Sequence, residues 1–463
     1  MNKQVNNNAL DKNNFFIKDI GFYKSLTNLL IVISLQNIIA YSVNMTDNIM
    51  LGSYSQTALA GATTVNQIFF VVQQLTLGIG NALVILASQY WGKQKIEPIA
   101  SLTHIALKVG IILSLVIIIP CSLYPQQILG LFTNSTAIIN AGCEYLDLMK
   151  WTFLLFILSN ILLATLRSIE IVKIAFYISI ITLILNAGIN YTLIFGHFGF
   201  AEMGVKGSSI GTLIARFVEF LIVIVYITKS QKHLKLFADF SLFKHESNLS
   251  ADFQKVVSPL LLSQLFWAVS IPIQTAILGH LSDDAIVANS IATTFFQYLK
   301  VIVVAMSSAS SVLIGIAIGR GDMQRIKAEA RTMAGIDIIL GILLAIGLYL
   351  CRYPLISMYN LTPSASELTI NLIVVMSIIM VVMSYQMPVS IGLIQGGGDT
   401  KFVMKMNLIS IWLIVIPLSF LAAFVWHWSI IAVVFVIQSD QIFKCIPTYF
   451  RFKSYKWIKV LAK

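Results

Sequence analysis

Apolar runs of about 20 residues, separated by short polar or glycine-bearing stretches, recur along the whole chain. About 20 residues is what a helix needs to cross the hydrocarbon core of a bilayer. The pattern predicts twelve transmembrane helices, at 27–50, 59–88, 102–124, 141–166, 172–196, 205–228, 254–279, 287–318, 329–351, 367–394, 402–425 and 428–450. The first run follows a polar, Asn-rich stretch, and no small-residue cleavage site precedes the second. It is therefore read as a span and not as a signal peptide. The predicted fold class is an all-α polytopic membrane protein.

The spans repeat. Met50-Leu51-Gly52, then Ser55 and Ala58, matches Ile277-Leu278-Gly279, then Ser282 and Ala285. Trp91-Gly92-Lys93 closes the second span as Arg320-Gly321-Asp322 closes the eighth. Leu166-Arg167 through Val172-Lys173 matches Ile394-Gln395 through Thr400-Lys401, and Gln36 matches Gln264. All four landmarks keep an offset of about 228 residues, so the chain reads as two six-span halves. Six spans return each half to its starting side, which makes the halves parallel repeats about an axis along the membrane normal. The predicted organisation is an N-terminal segment at 1–26, a first lobe at 27–229, a linker at 230–252, a second lobe at 253–450 and a basic tail at 451–463.

Charge sets the orientation. With a cytoplasmic N-terminus, the inside segments hold 25 of the 31 lysines and arginines, whereas Lys206 and Arg352 alone fall in outside loops. That asymmetry is the positive-inside pattern, and it predicts both termini in the cytoplasm of a bacterial inner-membrane protein. The net charge of +11 is thus a membrane signal rather than a nucleic-acid footprint. Charged residues make up 11% of the chain, well below the level of soluble domains. Cys121, Cys143, Cys351 and Cys445 are scattered and form no CxxC pair, which indicates neither a metal centre nor a disulfide framework. There is no HExxH or GxSxG, and Gly319-Arg320-Gly321 and Gly396-Gly397-Gly398 lack the Lys of a phosphate-binding loop. No enzyme and no cofactor are expected.

Several stretches resemble one family. Asp47-Asn48-Ile49-Met50-Leu51-Gly52 with Ala58-Leu59-Ala60-Gly61 resembles the opening motif of the multidrug and toxic compound extrusion (MATE) family. Leu185-Asn186 through Asn190, Leu193-Ile194-Phe195-Gly196, Gly204-Val205-Lys206-Gly207-Ser208-Ser209 and Gly211-Thr212 resemble its fifth and sixth helices. Gly396-Gly397-Gly398-Asp399-Thr400 matches its second-half loop. The resemblance covers about residues 20–450. It implies a V-shaped pair of six-helix lobes. It also implies secondary active efflux of organic cations or amphipathic drugs, driven by H+ or Na+ without ATP hydrolysis.

Ionisable groups within spans are functional candidates by default, because a charge at mid-bilayer costs about 2.5–3.5 kcal/mol on insertion scales. Asp47, near the outer end of the first span, is the clearest. It could exchange a proton, supply oxygen to a sodium ion, or simply sit in outer-surface water. Asn186 and Asn190 stand four apart on one helix face, and Thr212 offers a hydroxyl. Oxygen ligands of this kind suit a hard cation, while plain interhelical hydrogen bonding is the other reading. The resemblance assigns Asp47, Asn186, Asn190 and Thr212 to the coupling site. Where some relatives carry Asp, this chain carries Asn190, with one charge less.

The second half differs. No Asp or Glu lies between Lys255 and Leu281, and Gln264 stands in the seventh span, where one branch of the family carries an acid. Coupling is therefore expected in the first lobe, as in the DinF-like branch. Ile31 stands opposite the repeat's Pro259, which weakens a first-helix bending mechanism. Arg216 and Glu219 are spaced to neutralise each other. Asp337 and Asp440 fall within spans, and Lys150 and Lys300 are read as snorkelling side chains without a role.

Phe69, Gln73, Gln264 and Phe296 are the candidates for a cavity between the lobes, since aromatic faces attract organic cations. Expected partners are membrane lipid and small amphipathic or cationic substrates; the two fused halves suit a monomer. A lipid or lipid-linked oligosaccharide flippase of the same superfamily is the alternative. Its anionic cargo calls for a more cationic cavity than Arg216, Lys108, Lys150 and Lys300 provide.

Overall fold

The computed structural model describes residues 16–230, 247–281, 283–357, 359 and 361–462. Within them, twelve helices are long and apolar enough to cross a membrane: α1 Ile20–Tyr54, α2 Gln56–Gly92, α3 Glu97–Leu123, α4 Thr136–Ser168, α5 Lys173–Phe195, α6 Gly204–Lys229, α7 Asn248–Gly279, α8 Ala288–Arg320, α9 Met323–Ile356, α10 Pro363–Gln395, α11 Thr400–Val425 and α12 Ile430–Lys453. The predicted spans find their helices, but most helices run past them. At 37 residues and 1.5 Å per residue, α2 exceeds any hydrocarbon core. Its ends continue where hydropathy no longer marks them.

Local sequence accounts for several boundaries. The Asp322 carboxylate caps α9, accepting from the backbone N–H groups of Gln324 and Arg325 at 3.0 and 3.1 Å. Thr362 caps α10 through the Ala365 N–H at 3.2 Å, with Pro363 in the first turn. Pro388 lacks an N–H, and α10 continues from it in wider π-type turns to Gln395.

The chain divides into two compact units. One holds Leu35–Ala87 and Gln94–Val257; the other holds the segment up to Ser34, Ser88–Lys93 and Ser258–Lys463. The repeat is visible in the packing: α3 packs on α4 and α4 on α6 in one unit, as α9 packs on α10 and α10 on α12 in the other. In the first unit α2 and α4 cross at Gly61 and Gly142, where a Cβ on Gly61 would lie 2.8 Å from the Gly142 backbone nitrogen. Small residues permit such close backbone approach, and in lipid that contact replaces the hydrophobic drive.

Beyond the two lobes, the predicted linker, N-terminal segment and tail each meet the structure differently. Most of that linker, 231–246, lies outside the described residues, and its last residues already belong to α7. The end of the predicted N-terminal segment is helical from Ile20, and it joins the second unit. There Asp19 pairs with Arg325 at 2.7 Å, and the Ile17 N–H donates to Thr332 Oγ1 at 2.9 Å. The basic tail is folded rather than free. Trp457 is fully buried, and the Lys459 N–H donates to the Gly397 carbonyl at 2.9 Å. Gln89 clamps the tail from α2: its Oε1 accepts the Leu461 and Ala462 N–H groups at 2.8 and 3.2 Å. Its Nε2 donates to the Lys459 carbonyl at 3.1 Å.

Candidate ion-coupling site

Helices α1, α5 and α6 of the first unit bring the four predicted coupling residues together. Asp47 is 8% exposed, Asn186 1%, Asn190 0% and Thr212 6%. They form one chain of hydrogen bonds. The Asn186 amide donates to Thr212 Oγ1 at 3.3 Å, and the Asn190 amide donates to Asn186 Oδ1 at 3.4 Å and to Asp47 Oδ1 at 2.5 Å. The i, i+4 spacing of the two asparagines stacks their amides on the face that α1 covers. The outer-surface reading of Asp47 is thereby displaced: its carboxylate is enclosed by helices.

The chain presents N–H donors, not carbonyl oxygens, to the carboxylate. Asn190 Oδ1 points the other way and has no hydrogen-bond partner. It lies against Gly211, where a Cβ would overlap it. A glycine at this position lets α6 approach α5 closely enough to fix the amide. Gly211→Ala is therefore expected to displace Asn190 and slow transport roughly tenfold, since positioning errors at a reacting group are expensive. Transport rate and thermal midpoint, measured together, check this. An unchanged rate would show that the amide position does not matter.

A cavity of about 10 Å³ lies beside the carboxylate, room for about one water molecule. Val43, Asn66, Phe69, Tyr145, Met149 and Arg216 are among its lining residues, with Asp47, Asn186 and Thr212. Arg216 pairs with Glu219 at 2.7 Å, as their spacing suggested, and its guanidinium sits 5.0 Å from the Phe156 ring centroid. It also acts electrostatically on Asp47. This second role was readable in part, because Arg216 stands one turn after Thr212 on the same face. Nothing in the pattern singled out Tyr145, 2% exposed, or Met149; both reach the site from α4.

Of the four cavity candidates, Phe69 joins this group. Its ring stacks on Phe153 at 5.8 Å and meets Phe156 edge-on at 5.1 Å. Gln73 is half-buried one turn further along α2. Gln264, also half-buried, belongs to the second unit. Phe296 is 4% exposed inside that unit's apolar core, with Ile277, Met376 and Met380. Its ring packs the core in this structure, because the face of α8 that carries it is covered by α10.

Comparison with known proteins decides the family. The MatE family model matches residues 33–192 and 259–421, one stretch in each half. The chain belongs to the MatE family. It is a transporter and not an enzyme, and the small molecules its family moves are its partners. It is similar to the "Probable multidrug resistance protein NorM" of Rhizobium meliloti, at 25% identity with 82% of each chain covered. It is also similar to the "Probable multidrug resistance protein YoeA" of Bacillus subtilis, at 23% identity with 73% of each covered. Among solved structures, a mutant of the Vibrio cholerae MATE transporter VcmN superposes with a TM-score of 0.84, at 18% identity, covering 94% of this chain and 97% of that one. A MOP superfamily transporter from Pyrococcus furiosus superposes at 0.83, with 16% identity and 93% and 95% covered. The all-α, twelve-helix MATE architecture predicted from the sequence is the one these structures share.

Proposed function

We propose that this MATE transporter is a secondary active antiporter of the bacterial inner membrane. It exports organic cations or amphipathic drugs in exchange for an ion, and Asp47 is the coupling carboxylate. The names of the NorM and YoeA relatives support the drug-efflux part. The buried Asp47–Asn190 contact beside a water-sized cavity carries the coupling part. A buried carboxylate with a hydrogen-bonded amide and a neighbouring Arg216 can take and lose a charge without unfolding its surroundings. The proton is the ion this reading takes, because an enclosed carboxylate beside a water-sized cavity can bind a proton alone, whereas sodium needs several oxygen ligands. A sodium site drawing on Asn190 oxygen would need that amide reversed. Orientation with both termini inside, on the charge asymmetry, and a monomeric state complete the reading.

The test is export of an ethidium-type cation by purified protein in vesicles, driven separately by a proton and by a sodium gradient. A response to the proton gradient alone is expected. A response to sodium alone would transfer the site to a cation, and a response to neither would remove the antiporter reading.

A further inference from the structure

Helix α2 starts in one compact unit and ends in the other. Gln56–Ala87 belong to the first unit, whereas its last residues, Ser88–Gly92, belong to the second. There the end of α2 meets the end of α8 backbone to backbone. Gly315 and Gly319 stand four apart on one face of α8. A Cβ on Gly315 would overlap Ser88 Oγ, one on Gly319 would overlap the Gln89 carbonyl, and one on Gly92 would overlap the Ile316 carbonyl. Glycine buries no side chain, so neither helix has a knob to withdraw from a hole before the two part. Such a crossing fits closely but does not interlock.

The tail lies across it. Gln89, fully buried, accepts the Leu461 and Ala462 N–H groups on Oε1 and gives its Nε2 donor to the Lys459 carbonyl. One turn on, Lys93 Nζ donates to the Ala462 carbonyl at 2.7 Å. All four bonds run from side chains at the end of α2 to the tail backbone. They depend on where the tail lies and not on its side chains. Its position is fixed within the second unit. Trp457 is buried so closely against Gly397 that a Cβ there would overlap the indole ring, and Lys459 pairs with Asp399 at 2.6 Å. The segment is thus a strap, tied to the α10–α11 loop at one end and clasped on α2 at the other.

A transporter with alternating access parts its lobes on one side and then on the other. A helix that belongs to both units must give up one set of contacts when they part, and in α2 the short set is Ser88–Gly92. Hydrogen bonds suit a contact that opens and re-forms, because water satisfies both halves when they separate. We propose that residues 459–462 are a latch: they hold the end of α2 on α8, and their release precedes opening on the side where those two helices end. This inference rests on the transporter reading above through alternating access, and on neither its coupling ion nor its substrate.

Spin labels at Lys95→Cys and Met323→Cys, exposed positions just past the two helix ends, report their separation. Distances are measured by pulsed electron resonance on full-length protein in lipid nanodiscs, without gradient or drug, with the native cysteines replaced by alanine. The parent is compared with Gln89→Ala, with a chain ending at Val460, and with Gly319→Ala. The first two variants keep Trp457 and the Lys459–Asp399 pair, so the strap stays anchored while its clasp is lost. Each is expected to raise the fraction of molecules with the ends apart at least about threefold, the effect of losing one or more net hydrogen bonds. Gly319→Ala forces a methyl against the Gln89 carbonyl and marks the distance of the parted state. If that variant shifts while the other two match the parent, the inference is overturned and the tail only packs. A lower thermal midpoint without a new distance overturns it as well. So does a new distance in the shortened chain but not in Gln89→Ala. Failure of the antiporter reading in the vesicle assay leaves these distances untouched, so the two readings fall separately.

Discussion

Asp47→Asn is expected to reduce gradient-driven transport to background, a loss of at least about a hundredfold, while leaving the protein folded and able to bind substrate. The amide has the shape of the carboxylate, and its Oδ1 can still accept from Asn190, so the chain from Thr212 through Asn186 is preserved. What disappears is the only group in that chain that can change its charge. Asp47→Ala makes the complementary case. It also removes the acceptor of the Asn190 amide, and an orphaned buried donor costs about 1–3 kcal/mol. The Ala variant should therefore lose both transport and thermal stability, and the Asn variant transport alone. Efflux from vesicles, substrate binding and thermal unfolding on the three proteins separate the cases. Coupled transport at the wild-type rate by Asp47→Asn would remove Asp47 from the mechanism. Equal instability of both variants would make it a structural carboxylate.

The twelve helices were legible because lipid leaves a helix no other way to satisfy its backbone, so each crossing shows as an apolar run. Helix ends were less legible, since residues such as those from Ile20 to Leu26 continue α1 beyond the apolar run. Asp47, Asn186, Asn190 and Thr212 were legible as candidates: two asparagines four apart, a hydroxyl, and one acid in an apolar span, with the coupling role proposed for them coming from the family resemblance. Tyr145 was not, because its place beside Asp47 depends on how α4 is seated and on nothing in its own neighbourhood. Phe296 shows the converse. An aromatic residue in an apolar span carries no mark that separates cavity wall from core, and packing alone decides. The tail reads only as a basic end because its anchors are remote. Gln89 lies some 370 residues upstream of the backbone groups it holds.

That remote anchoring makes Asp399 the second residue at which a large effect is expected. Its side chain is 3% exposed and takes two cations, Arg451 Nη2 at 2.5 Å and Lys459 Nζ at 2.6 Å. The adjacent Gly398 has a φ of +100°, a conformation glycine adopts freely, and so turns the loop toward the tail. Removing one partner of a fully buried ion pair costs about 3–5 kcal/mol. Here Arg451 and Lys459 are 26% and 41% exposed, so water takes up part of their charge, and the loss for Asp399→Asn should be nearer about 1–3 kcal/mol. The loss should also be local. With Asp399 neutral, Lys459 loses its anchor, Trp457 is no longer held against Gly397, and the amides of Leu461 and Ala462 should exchange with solvent. Trypsin cleavage at Lys456 and Lys459, with the thermal midpoint, reports both effects. Asp399→Glu retains the charge and should protect the tail better than Asn does. Gln89→Ala tests the other anchor. It removes the acceptor of two tail N–H groups but strands no charge, so it should loosen the tail with less effect on the midpoint. If Asp399→Asn melts early while the tail stays protected, the carboxylate supports the α10–α11 loop alone. The tail would then be held by Trp457 burial and Gln89.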